Sequence, residues 1–230
     1  GEIVAENGKL VVDIEKNETP KLRGSVNVKW IEDEDFKIPA KSDTVKVIEI
    51  VPGTLLTKEI VSKIRVVDNY AEANVEDDIL KIMVFERHRA TGNIGKGFIK
   101  GFGLKSGAIA STVAHDSHNM IVVGTNDADM KMATIELVKS QGGKVVVNNG
   151  KVISTLPLPI AGLMSAKSFE TVLEECNELK NGVKQLGCKL DDPFMTMAFL
   201  SLSVIPSLKI TDKGVFDVNA FKFVDIFDES

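Results

Sequence analysis

All three histidines of the chain, His88, His115 and His118, fall in one central stretch that also holds Glu86, Arg87, Asp116 and Asn119. Imidazole titrates near neutrality, and beside carboxylate it suits Mn, Fe or Zn, so these residue types point to proton handling or metal coordination. The stretch opens Phe85-Glu-Arg-His-Arg-Ala-Thr-Gly92 and runs through Gly95, Gly97, Gly101, Gly103 and Gly107. It closes on Ala110-Ser-Thr-Val-Ala-His-Asp-Ser-His-Asn119. Within His115-Asp116-Ser117-His118 the conformation decides which groups share a ligand. A strand puts Asp116 and His118 on one side and His115 on the other, whereas a turn or helix lets His115 and His118 converge. Two readings stand here: a metal-binding or proton-handling loop, and a hydrogen-bonded turn in which Asp116 orients a histidine and Asn119 caps the next element.

Other chemistries find less support. The run Gly92-Asn-Ile-Gly95-Lys-Gly97 lacks the Gly-Lys-Ser/Thr ending of a phosphate loop and the spacing of the dinucleotide fingerprint. Its glycines read instead as positions of close approach to another surface, or of unusual backbone angles. Ser111 and Ser117 lie near His115 and Asp116, but no Gly-x-Ser-x-Gly elbow surrounds either serine. Cys176 and Cys188 are too few for a disulfide framework and lack partners at metal-ligand spacing; they read as reduced thiols, Cys176 helping to pack a helix.

The elements that must position this stretch are legible from periodicity. Ile3 to Val12 reads as a hairpin turning at Asn7-Gly8, and Asp13 to Asp43 as a polar connector, with a boundary near Glu34. Strands are predicted over Val45–Val51, Ile60–Val67, Ile79–Phe85 and Met120–Val123. A helix follows, with Asp127 as its N-cap, Met130, Ala133, Thr134, Leu137 and Val138 at helical spacing, and Gly142-Gly143 as its stop. Lys144–Val147 and Val152–Thr155 flank the turn residues Asn148-Asn149-Gly150. A second helix starts at Ser168 with Phe169, Val172, Leu173, Cys176 and Leu179 on one face. Met195 and Met197 read as gap-filling core, and Asp212-Lys-Gly214 as a turn. Alternating strands and helices predict an α/β (α+β layered) domain of mixed β-sheets packed with helices.

With 230 residues and 43% hydrophobic content, the chain can bury a sizeable core. Its 28 Lys and Arg against 33 Asp and Glu give a net charge of -5 without a basic stripe, which argues against a nucleic-acid partner. No apolar run reaches the roughly 18 residues of a membrane helix, and the first residues do not read as a signal peptide, so the expected location is the cytoplasm, with no membrane partner. The opening Gly-Glu-Ile-Val, without Met, leads us to expect a segment of something longer.

At Glu86-Arg-His-Arg-Ala-Thr-Gly-Asn-Ile-Gly95, at Gly101 to Asn119, and at Val122-Val-Gly-Thr-Asn-Asp127, the chain resembles the C-terminal domain of bacterial adenine deaminase, in the amidohydrolase superfamily. The similarity continues through Leu156-Pro-Leu-Pro159 and Asp192-Pro-Phe-Met195. The resemblance implies hydrolytic deamination of adenine to hypoxanthine and ammonia in purine salvage. In that family Mn or Fe, held by acids and histidines that include a His-x-His pair of a (β/α)₈ barrel, supplies a hydroxide that attacks the purine.

This chain has no His-x-His and too little sequence for a barrel, which takes about 250 residues by itself. The expectation is therefore a domain without a TIM barrel. Residues 1–34 would be a remnant hairpin of a small β-sandwich plus connector, and residues 35–230 the C-terminal-like domain. By itself it would be inactive, and its partners would be the barrel of the same polypeptide and adenine; homo-oligomerisation is left open. As implied by the resemblance, Glu86, Arg87, His88 and Asn119 are the catalytic candidates and His115, Asp116 and His118 the metal candidates, while the substrate-binding residues stay unassigned. Two rival expectations are a structural or oligomerisation module and a self-contained metal-binding domain.

Overall fold

The computed structural model describes residues 1–13 and 24–227. The first third of the predicted connector, residues 14–23, lies outside the described residues. A short hairpin pairs β1 (Ala5–Glu6) with β2 (Lys9–Leu10), and Asn7 and Gly8 take the positive φ values, 50° and 75°, that such a turn demands. The chain continues through β3 (Thr44–Ile50), β4 (Thr57–Lys63), β5 (Arg65–Val67), β6 (Tyr70–Glu72), β7 (Ile79–Phe85), β8 (Ile94–Lys100), β9 (Ala108–Ser111) and β10 (Met120–Gly124). Then come helix α1 (Asp127–Lys139), β11 (Gly143–Asn148), β12 (Lys151–Pro157), helices α2 (Phe169–Gln185) and α3 (Pro193–Leu200), and strands β13 (Leu208–Thr211), β14 (Gly214–Asp217) and β15 (Lys222–Phe223).

Eight strands form one sheet in the order β12-β11-β9-β10-β7-β8-β3-β4. The sheet is mixed, because β3 and β8 run parallel while the other neighbours run antiparallel. It is an α+β domain with no TIM barrel among the described residues. The two-residue period of the strands builds two cores. Leu80, Ile82, Val84, Ile121 and Val123 face α2, α3 and the β13–β14 hairpin through Leu179, Val183, Met197, Leu208 and Ile210. Met83, Phe85, Met120 and Val122 face the other way, onto Phe36, Met130, Ala133 and Leu137. Burial on both faces explains why β10 reads as an unbroken apolar run and β7 as one broken only by the buried Lys81.

Several local expectations need correction. The cap of α1 is Asn126, whose side chain accepts from the Asp129 amide at 2.8 Å; Asp127 instead pairs with the buried Lys81 at 2.6 Å. The segment Ile60–Val67 breaks at Ile64, which turns into the core between β4 and β5. Phe169 and Leu173 of α2 are exposed, and the helix packs through Val172, Cys176, Leu179, Gly182 and Val183. Met197 is core, but Met195 is 51% exposed.

Part of the glycine-rich stretch, Ile94–Lys100, is the strand β8. A side chain on Gly95 of β8 would put its Cβ 1.8 Å from the Thr211 carbonyl oxygen, so glycine is what lets the β13–β14 hairpin lie directly on the sheet.

Candidate functional site

The candidate residues gather where β7 and β13 end and β10 begins. Glu86 follows β7, and its carboxylate is folded back on its own loop. One oxygen accepts from the amides of His88 (2.5 Å) and Arg89 (2.9 Å), the other from the amide and hydroxyl of Thr91 (3.0 and 3.1 Å). Desolvation works to raise its pKa, but the bonds from Thr91, His88 and Arg89 together outweigh it and hold the carboxyl below its usual range.

Arg87 points inward and is 1% exposed. Its Nε donates to the His118 carbonyl, one terminal nitrogen to the Ser25 carbonyl and the other to the Ala161 carbonyl at 3.0 Å. Burial pushes its pKa down, opposed by the nearby charge of Glu86. The guanidinium is thus a clamp on three backbone segments. Gly162, at φ +72°, makes room for it, since a Cβ there would lie 2.8 Å from a guanidinium nitrogen.

The segment from His115 to His118 is a turn, and it brings the two imidazoles together with ring centroids 5.4 Å apart, edge to face. His115 also packs on Phe199 of α3 at 4.8 Å, and its amide donates to the Ala198 carbonyl at 2.9 Å. Nδ1 of His118 accepts from the Ala114 amide at 3.2 Å, which leaves the proton of the neutral ring on Nε2. Burial lowers the pKa of His118; His115, Arg87 and His88 add to this and Asp116 opposes it. His88 is exposed, and its Nε2 lies 2.7 Å from the Ser117 carbonyl, to which it donates.

Asn119 is buried and uses both ends of its amide: Oδ1 faces the Arg87 amide at 3.4 Å, and Nδ2 donates to Asp212 at 3.2 Å. The second oxygen of Asp212 accepts from Asn93 at 3.2 Å. Beside this network lies a wide, open cleft, lined in part by Asp116, Ser117, Ser203, Asp212, Lys213 and Phe223.

Residues 54–222 match the family profile described as the adenine deaminase C-terminal domain. The chain belongs to that family. It is 46% identical over 224 residues to the adenine deaminase of Dehalococcoides mccartyi, covering 97% of this chain and 39% of that protein. It is 48% identical over 227 residues to adenine deaminase 2 of Carboxydothermus hydrogenoformans, covering 98% and 40%. Against the adenine deaminase of Brucella anthropi the identity is 45% over 227 residues, covering 97% and 40%. The chain therefore spans about two-fifths of the length of the curated relatives it matches.

Metal coordination can be weighed against the donors this adenine deaminase domain presents. Among the described residues, no group of three His, Cys, Asp or Glu side chains is placed to hold a metal ion. A metal-bound histidine donates its other ring N–H to an acceptor, but Nδ1 of His118 faces the Ala114 amide, itself a donor. The donor set therefore does not fit a self-contained metal centre.

The structure brings His115 and His118 together and joins Arg87 to Asn119 and to the His118 carbonyl, while Asp116 is exposed on the cleft wall. Sequence reasoning missed Asp212, Phe199 and the Ser25 and Ala161 carbonyls. Asp212 carried a turn signal, Asp-Lys-Gly, but nothing local to it pointed at Asn93 or Asn119. No helix among the described residues is long and apolar enough to cross a membrane.

Proposed function

We propose that this chain acts as the C-terminal domain of an adenine deaminase, presenting the 86–93 and 115–119 loops and the adjoining cleft to the catalytic barrel of the same polypeptide. There it contributes to the hydrolysis of adenine to hypoxanthine and ammonia. The observation that carries this reading is the wall of Asp116, Ser117 and Asp212 along an open cleft, with Asp212 held from behind by Asn119, which itself accepts from the Arg87 amide. Carboxylates there can accept hydrogen bonds from an exocyclic amine or a ring N–H, and Phe223 offers an aromatic face.

His88, His115, Asp116 and His118 are the residues proposed to meet substrate or barrel. Glu86, Arg87 and Asn119 are positioning residues that hold the loops in register. The Mn or Fe of the full-length enzyme would be held by residues outside this chain, which takes no step through it. Residues 1–34 are proposed to belong to the small β-sandwich beside the barrel, and the location is proposed to be the cytoplasm.

The test compares purified chain with a full-length adenine deaminase carrying the same segment. The chain alone should release no ammonia from adenine, and Asp116→Asn in the full-length enzyme should lower kcat or raise KM. Turnover by rigorously purified chain, or an unaltered D116N enzyme, would remove the basis for this reading. A second reading, a module for domain or subunit packing only, draws on the inward bonds of Glu86 and Arg87. It predicts that D116N leaves catalysis untouched.

A further inference from the structure

Among the described residues two lysines are fully buried, and they are treated differently. Lys81 has Glu72 at 2.8 Å and Asp127 at 2.6 Å, with the Phe36 carbonyl at 3.4 Å. Lys209, on β13, donates to the Leu55 carbonyl at 2.9 Å, and no carboxylate among the described residues pairs with it. A buried ammonium with one carbonyl for its three N–H groups is an uncompensated charge.

Lys209 borders a small cleft of about 340 Å³, open to solvent, whose other walls include Ile50, Leu55, Met195, Phe199 and Leu200. Leu55 and Met195 are 43% and 51% exposed, so the mouth as well as the walls is apolar. The hydroxyls nearby are engaged: Thr54 donates to Val51, Thr57 to Leu208 and Thr196 to Asp192.

We propose that this cleft binds a small organic monoanion, a carboxylate on a short unbranched apolar body, with the carboxylate paired to Lys209 and the body against Leu55, Met195 and Phe199. One cation without further free donors suits one negative charge; a phosphate dianion would keep an unneutralised charge and unsatisfied oxygens. The cleft is shallow and open at its mouth, so it can enclose only the head of the ligand, the rest lying along the exposed Leu55 and Met195. Desolvation also lowers the pKa of Lys209 to about 8, so affinity should weaken as the pH rises past that value. The site stands apart from the proposed deaminase surface, but Phe199 touches both the cleft and His115, which gives an occupant a route to the histidine turn.

The test is a titration of the chain with hexanoate, hexanol, hexylamine and inorganic phosphate, read by calorimetry and by the methyl NMR signal of Met195. Hexanoate should bind with a Kd on the order of 1 mM or tighter and move Met195 while leaving the core methyl of Met83 in place. Lys209→Met should weaken hexanoate at least about tenfold and leave hexanol unchanged. The wild-type NMR titration stands even if the variant fails to fold. Hexanoate that leaves Met195 unmoved, hexanol or phosphate binding as tightly as hexanoate, or undiminished hexanoate binding by K209M would each overturn the proposal.

Discussion

Replacing Arg87 by methionine should destabilise the domain and loosen the candidate site in one step. Its guanidinium holds the Ser25, His118 and Ala161 carbonyls together, three segments far apart in sequence. Each carbonyl that loses its charged donor and stays dry costs about 1–3 kcal/mol. None of the three residues is fully buried, so water can reach their carbonyls, and the low end applies to each. Together they give about 3 kcal/mol, within the range for removing one partner of a buried charge network. Arg87→Lys keeps the charge but not the fork and should fall at about half that loss. Urea unfolding of the three proteins, followed by circular dichroism at equal m-values, measures the differences. The NMR signals of His115 and His118 should broaden or shift in R87M. A loss below about 1 kcal/mol, with the histidine signals in place, would refute the clamp.

Lys81 and Lys209 predict opposite outcomes. Lys81→Met strands the Glu72 and Asp127 carboxylates and should destabilise, whereas Lys209→Met removes an unpaired charge and should stabilise at pH 7. Because Lys209 has its folded pKa depressed from 10.5 to about 8, the folded state binds fewer protons between those values and stability rises with pH across that window. The full difference is about 3 kcal/mol, and K209M should lose the slope in denaturation curves taken from pH 7.5 to 10.5. Gly95→Ala should prevent the β13–β14 hairpin from seating, since a Cβ meets the Thr211 carbonyl at 1.8 Å, and should lower Tm by 10 °C or more on the order-of-magnitude scale of a backbone clash. Nitrogen-15 spectra at neutral pH should show His118 as the Nε2–H tautomer; a proton on Nδ1 would contradict its bond from Ala114.

The sheet was readable where burial is simple. Met120–Val123, and Ile79–Phe85 apart from Lys81, are apolar because both sheet faces are covered there, while Val45–Val51 keeps Lys46 and Glu49 at half-buried positions; all three strands start and stop within a residue of the expected ends. Failures came where tertiary contacts overrode local signals. Asp127 looked like a cap, but Lys81 needed its charge, leaving Asn126 to close the helix. Phe169 and Leu173 followed helical spacing, yet of that face only Val172, Cys176 and Leu179 pack on the core. The glycines from 92 to 103 do serve close approach and unusual backbone angles, Gly95 and Gly97 under the β13–β14 hairpin and Gly92, Gly101 and Gly103 at positive φ, but nothing in their spacing showed that a strand runs through them. At the candidate site, the proximity of His115 and His118 was legible from their spacing. The inward turn of Arg87 was not, because its partners at Ser25 and Ala161 are backbone atoms, which carry no side-chain signature.

The central claim is that the 115–119 turn takes part in adenine deamination once this domain is joined to the rest of the enzyme. The direct measurement is steady-state deamination, together with bound Mn and Fe, in a full-length adenine deaminase carrying His115→Ala and His118→Asn in this segment. Asparagine at 118 tolerates the φ of +51° found there. The account predicts a drop in kcat/KM of about a hundredfold, the low end for loss of a proton-handling group, with metal content and unfolding midpoint unchanged. Turnover equal to the unmodified enzyme would contradict it and reduce the turn to a packing element.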